Sequence, residues 1–85
     1  MITLAVRIRL SRIGRKHEAV FRMIAADSRN SRDGKFIEIL GHYDPRRDPP
    51  KIELKEDRVL YWHKMGAKPT ASSYSLIKKA GIELP

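Results

Sequence analysis

L-A-V-R-I-R-L, residues 4–10, sets apolar Leu4, Val6, Ile8 and Leu10 in strict alternation with Ala5, Arg7 and Arg9. A side-chain period of two describes a strand with one apolar and one polar face. Outward from it, residues 11–18 are polar and basic and contain Gly14, which reads as a connection. Residues 20–26, V-F-R-M-I-A-A, are nearly continuously apolar, as expected of a more buried strand. Residues 27–34, D-S-R-N-S-R-D-G, contain no apolar side chain and end on an Asp-Gly turn signal, so they read as a loop. Residues 36–40 form a third strand closed by Gly41. Connections of this length leave no room for a crossover helix, so consecutive strands pair antiparallel.

Residues 43–50, Y-D-P-R-R-D-P-P, hold three prolines, which remove backbone donors and exclude a helix or a central strand. Ile52 and Leu54 flank Glu53 as a short edge strand. The pattern then turns helical. Over residues 56–65, Val59, Trp62 and Met65 share a face beside Tyr61, and Gly66 follows as a stop. Thr70 is placed to cap a second helix over residues 71–80, whose stripe is Ser73, Leu76, Ile77 and Ala80. Strands followed by helices predict a single α+β domain over residues 1–85. Its expected form is a small, mostly antiparallel (mixed) sheet of three to four strands with two C-terminal helices packed on it.

Composition narrows the function. With 85 residues the chain supports a modest core, and 41% of it is hydrophobic. There is no Cys, which excludes disulfides, thiolate metal sites and a Cys nucleophile. No apolar run reaches the roughly 20 residues of a membrane span, and residues 1–10 lack a signal-peptide layout. Eighteen Lys+Arg against ten Asp+Glu give a formal net charge of +8. So basic a chain meets a polyanion, nucleic acid before anionic membrane.

The charge is unevenly placed. Nine of the ten arginines lie in residues 1–50. From Arg7 to His17 there are five Lys/Arg (Arg7, Arg9, Arg12, Arg15 and Lys16) and no acid. Arg7 and Arg9 stand about 7 Å apart on one strand face. Guanidinium forks suit phosphate oxygens because two N–H groups meet two oxygens. Arg29 and Arg32 extend the basic surface into the polar loop, and Arg46 and Arg47 sit on the proline-stiffened one. Asp44 and Asp48 flank that last pair and are expected to bond to it. Trp62, Tyr61, Tyr43 and Phe36 are expected to pack in the core.

Enzymatic readings find little support. His17, His42 and His63 have no metal-ligand spacing, the serines sit in no nucleophile motif, and the glycines form no phosphate loop. We therefore expect no catalytic residue, no metal and no cofactor. A DNA-binding module and a nucleic-acid hydrolase stand as alternatives. The first lacks a recognition helix, since the basic charge falls on strands and loops. The second lacks the clustered acids or histidines it needs.

Five stretches together resemble a known family: V-R-I-R-L-S-R-I-G-R-K-H (residues 6–17), F-R-M-I-A-A-D-S-R (21–29), R-D-G-K-F-I-E-I-L-G-H-Y-D-P-R (32–46), L-Y-W-H-K-M-G-A-K-P-T (60–70) and L-I-K-K-A-G-I (76–82). In this order the chain resembles the bacterial and organellar small-subunit ribosomal protein S-sixteen family. The resemblance implies a structural, non-enzymatic role in the small (30S) subunit. Its partners would be small-subunit rRNA and neighbouring ribosomal proteins, with no membrane and a monomer outside the ribosome. The implied location is the ribosome, in the bacterial cytoplasm or an organelle. Carried over residue by residue, the RNA-binding candidates are Arg7, Arg9, Arg12, Lys16, Arg29, Arg32, Lys35 and Arg46. Arg15, His17 and Arg47 join them from the charge pattern. The chain departs from the family pattern at His42, Lys55, Lys68 and Ser73. Lys55 stands where a helix-capping side chain is usual, and Ser73 replaces a usual Val, which implies a weaker apolar stripe.

Overall fold

The computed structural model describes residues 5–14, 16–27, 36–47 and 49–84. The elements are β1 (Val6–Ile13), β2 (Val20–Asp27), β3 (Glu38–Asp44), β4 (Lys51–Leu54), α1 (Glu56–Lys64), β5 (Lys68–Pro69) and α2 (Ala71–Lys79). The sheet runs β4-β3-β2-β1-β5. Its first four strands are antiparallel neighbours, and β5 pairs parallel with β1. The α+β class and mixed sheet expected from the sequence are present, but with five strands rather than three to four. The fifth is two residues long, and it ends on Pro69, which cannot donate to a ladder.

Three boundaries move. Ser11, Arg12 and Ile13, expected in a connection, continue β1 opposite Arg22, Phe21 and Val20. Among the described residues, Gly14 and residues 16–19 join β1 to β2. Gly14 has φ +101°, and a Cβ there would collide with the Glu18 carbonyl, so only glycine fits. Strand β3 begins at Glu38 and runs through Gly41 to Asp44. Gly41 is therefore not a stop. It lies where a side chain would strike Glu53 and Leu54 of β4, next to a bulge in the β2–β3 register at Met23 and Ile24. The loop expected over residues 27–34 keeps Asp27 as the last residue of β2; the rest of it lies outside the described residues.

Between the β4 edge and the β1 edge, α1 carries the chain across one face of the sheet. The core lies on that face. Ile8, Met23, Ala25 and Leu40 of the sheet meet Val59, Ala67, Leu76, Ile77 and Ile82, with Val6, Leu10, Tyr43, Trp62 and Leu84 around them. Helix α1 begins at Lys55, whose side chain makes no cap. Its backbone N–H instead donates to Leu40 O at 2.7 Å, tying the helix start to β3. Val59 is buried, but Met65 is 64% exposed and Tyr61 and Phe36 also face outward, contrary to the packing expected of them. Met65 is already the C-cap residue, and the chain turns away at Gly66, φ +98°. In α2 the stripe is Ser73, Leu76 and Ile77; Ala80 lies past the end and is exposed. Thr70 Oγ1 accepts from Ser73 N at 3.3 Å and donates to Ser73 Oγ at 3.0 Å. The buried Ser73 hydroxyl is thereby satisfied, which offsets the loss of apolar surface expected at this position.

Candidate nucleic-acid interface

Alternation along β1 sends Val6, Ile8 and Leu10 to the helix-covered face and Arg7 and Arg9 to the other. Arg12 falls on the helix side, opposite Phe21, so the run from Arg7 to Lys16 is split between the two faces of the sheet. The helix-free face is ordered in rows. Ser11, Arg22, His42 and Glu53 lie side by side across four strands, and Lys68 registers with Arg7 on the parallel edge.

The register also gathers the two turns. Ile13 opposes Val20, Phe21 opposes Tyr43 and Asp44 opposes Lys51, so residues 14, 16–19, 45–47 and 49–50 occupy one end of the sheet. Glu18 lies near enough to Arg46 to favour its charged form. Arg12, Lys16, His17, Arg46 and Arg47 thus share that end. Arg9 is midway, and Arg7 lies about 17 Å from Arg12 along the strand. His17 adopts φ +69°, a left-handed turn position that His tolerates better than most residues. Arg15, Arg29, Arg32 and Lys35 lie outside the described residues, as does Asp48.

Carboxylates divide these cations into two groups. Asp44 holds Arg46 through Nε at 3.1 Å, a second guanidinium nitrogen at 3.3 Å and the backbone N–H at 3.0 Å. Arg47 Nε approaches the same carboxylate at 3.6 Å. The pairing expected for Asp44 is therefore present. Hydrogen bonding from Arg46 holds the Asp44 carboxyl below its ordinary range, and Asp44 raises Arg46 in return. Lys51 pairs with Glu53 at 2.9 Å and lowers it likewise. Arg58 grips Glu38 with two bonds of 2.6 Å, and Trp62 Nε1 donates to the same carboxylate at 3.1 Å. The Arg58 bonds, opposed by desolvation, hold Glu38 low. This last group pins α1 to β3, so an external anion would have to compete with Glu38 for Arg58.

In the second group are Arg7, Arg9, Arg12, Lys16, Arg22 and Lys68. Among the described residues, no carboxylate pairs with any of them. Arg22 and Lys68 are not among the sequence candidates. Arg22 is hidden in the apolar run of β2; it stacks over the Phe36 ring at 5.3 Å, and its buried Nε has no hydrogen-bond partner among the described residues. Its signal in the sequence is the period-two position next to Met23, which sends Arg22 to the face opposite the core. Lys68 becomes visible only through the parallel β1–β5 pairing. Among the described residues, no group of three or more His, Asp or Glu could hold a metal. No helix of the described residues is long and apolar enough to cross a membrane.

A small α+β fold whose sheet carries cations that no carboxylate of the described residues pairs with defines a small basic α+β protein. The comparisons agree with that class. The profile of the family described as Ribosomal protein S16 matches residues 12–70. A small ribosomal subunit protein bS16 of Dictyoglomus thermophilum is 53% identical over 77 residues, covering 91% of this chain and 83% of its own. That of Coprothermobacter proteolyticus is 51% identical over 93% of this chain and 98% of its own, and that of Myxococcus xanthus 50% over 96% and 95%. The chain belongs to the ribosomal protein S16 family, a family of structural proteins and not of enzymes.

Proposed function

We propose that the chain is a structural constituent of the small ribosomal subunit that binds small-subunit rRNA and steadies its folding during assembly. The observation that carries this reading is the set of cations on one hairpin, Arg7, Arg9, Arg12 and Lys16, with which no carboxylate of the described residues pairs. Each can meet a phosphate without first leaving a carboxylate of the described residues. Strand β1 holds Arg7, Arg9 and Arg12 at fixed spacing, so little side-chain and backbone order is lost on docking. Neutralising phosphates brought close by packed RNA helices lowers the repulsion opposing that packing. Recognition is of RNA shape more than sequence, because A-form grooves hide the base edges. Arg46 and Arg47 contribute less, since a phosphate must compete with Asp44. Arg15, His17, Arg29, Arg32 and Lys35 complete the proposed surface. The chain is expected to be monomeric outside the ribosome, to sit beside other ribosomal proteins within it, and to need no cofactor.

The test is salt-dependent binding to an rRNA fragment. Replacing Arg9 and Arg12 by Ala should weaken binding and flatten the log–log salt slope by about 0.7–0.9 per lost phosphate contact. Circular dichroism should show the fold intact. Unchanged affinity and slope would refute the assignment.

A further inference from the structure

We propose that a cleft on the parallel β1–β5 edge is a second docking point for the RNA backbone, one that takes a phosphodiester between Arg7 and Lys68. The inference rests on the rRNA-binding reading and extends it to a surface remote from the turns.

The cleft is lined by Ala5, Val6, Arg7, Gly66 and Lys68 and has a volume of about 220 Å³. At about 30 Å³ per water, that holds a phosphate group with several waters. Of the five described residues lining it, none is acidic. Arg7 and Lys68 are both exposed and occupy paired positions on adjacent strands, so their charges reach the same volume from two sides. Gly66 forms the third wall. At φ +98°, with nothing within 4 Å of where a Cβ would stand, it leaves that side open to close approach.

One effect opposes an anion here. The cleft adjoins the C-terminus of α1, the negative end of its dipole. Three of the terminal carbonyls are occupied: Tyr61 O accepts from Met65, His63 O from Gly66 and Trp62 O from Ala67, at 2.9–3.0 Å. A helix terminus carries about half an elementary charge before such capping. Two full cations outweigh it. Arg7 supplies a fork for two phosphate oxygens and Lys68 a point charge, a pairing that suits a phosphodiester.

The geometry separates this site from the cluster at the turns by about 17 Å along β1. The two can therefore be tested independently. A labelled RNA comprising the 5′ and central domains of small-subunit rRNA is titrated with the full chain across a salt series. Arg7→Gln and Lys68→Gln together should reduce the log–log slope by about 1.4–1.8, two phosphate contacts. Arg12→Gln with Lys16→Gln is the parallel control. If that pair flattens the slope and the cleft pair does not, the cleft proposal falls and the rRNA reading stands. If neither pair flattens it, both fall.

Position is read separately. The chain has no Cys, so Met65→Cys, 64% exposed and next to Gly66, gives a unique attachment point for an iron chelate. Hydroxyl radicals from it should cut one local stretch of RNA, and the cuts should vanish in the Arg7→Gln/Lys68→Gln background. An absence of localised cuts, or cuts that persist unchanged in that background, overturns the proposal. Inorganic phosphate, compared with chloride at equal ionic strength, should displace the RNA no better. Saturable displacement by phosphate alone would mean a free-anion site and would equally overturn it.

Discussion

Asp44→Asn should make the chain bind RNA more tightly, and with a steeper salt dependence. The variant keeps a side-chain oxygen for the Arg46 backbone N–H, so the turn after β3 retains its bond of 3.0 Å. It removes the charge that holds Arg46 in two side-chain bonds and attracts Arg47 at 3.6 Å. The formal net charge of +8 rises by one, and two guanidinium groups are released towards solvent. Two further phosphate contacts steepen the log–log salt slope by about 1.4–1.8. Raising salt from 50 to 200 mM would then cost the variant roughly 7- to 12-fold more affinity than it costs the native chain. Fluorescence anisotropy on a labelled rRNA fragment, at fixed Mg²⁺ and neutral pH, measures both slopes. Asp44 is held low by Arg46, so it is fully charged in the native chain under those conditions. An identical slope for the two proteins would show that Asp44 does not govern Arg46 and Arg47, and the division of cations into paired and free would fail.

Further outcomes follow from the interior. Arg58→Ala and Glu38→Ala, analysed with the double variant, should show a favourable coupling in urea unfolding, reduced by solvent screening because the Arg58 side chain is 38% exposed. Glu38 is depressed in the fold, so its contribution is complete above the unfolded carboxyl pKa and disappears as pH falls through the folded value. Urea midpoints of the native chain should therefore decline on acidification below about pH 4.5, and those of Glu38→Gln should decline less. Ile77→Ala removes a fully buried side chain from the centre of the core and should cost about 2–5 kcal/mol, a loss of at least about 10 °C in Tm by calorimetry. Thr70→Ala strips the cap of α2 and orphans the buried Ser73 hydroxyl, costing about 1–3 kcal/mol. Thr70→Ser should restore most of it, and equal losses in the two would exclude the cap as the cause.

Much of this architecture is legible in residues that declare themselves locally. The alternation around Ile8, the apolar run of β2, the edge strand at Ile52 and Leu54, and the Thr70 cap each depend on near neighbours and appear where expected. The failures are tertiary. Gly41 looks like a stop because glycine usually weakens a strand, whereas the close passage of β4 demands glycine there. Strand β5 carries no periodicity in two residues and ends in proline; it exists because α1 delivers Lys68 to the free edge of β1. Met65 continues the helical spacing of Val59 and Trp62, but the helix ends before it. The same distinction holds for the candidate interface. The basic run and the Asp44 pairing lie within a few residues of each other and can be read directly. Glu38 and Arg58 are 20 residues apart, and the neighbouring Arg7 and Lys68 are further still, so their relations emerge only with the register.

The central claim is that this sheet recognises the folded shape of small-subunit rRNA and not charge alone. It is met most directly by a competition titration. Labelled 5′-plus-central-domain rRNA, bound in Mg²⁺ at about 0.15 M salt, is challenged with excess duplex DNA and with unrelated structured RNA. The account predicts that binding survives both competitors. If either strips the labelled RNA as well as the unlabelled cognate does, the cations of β1 form a generic polyanion surface and the proposed recognition is contradicted.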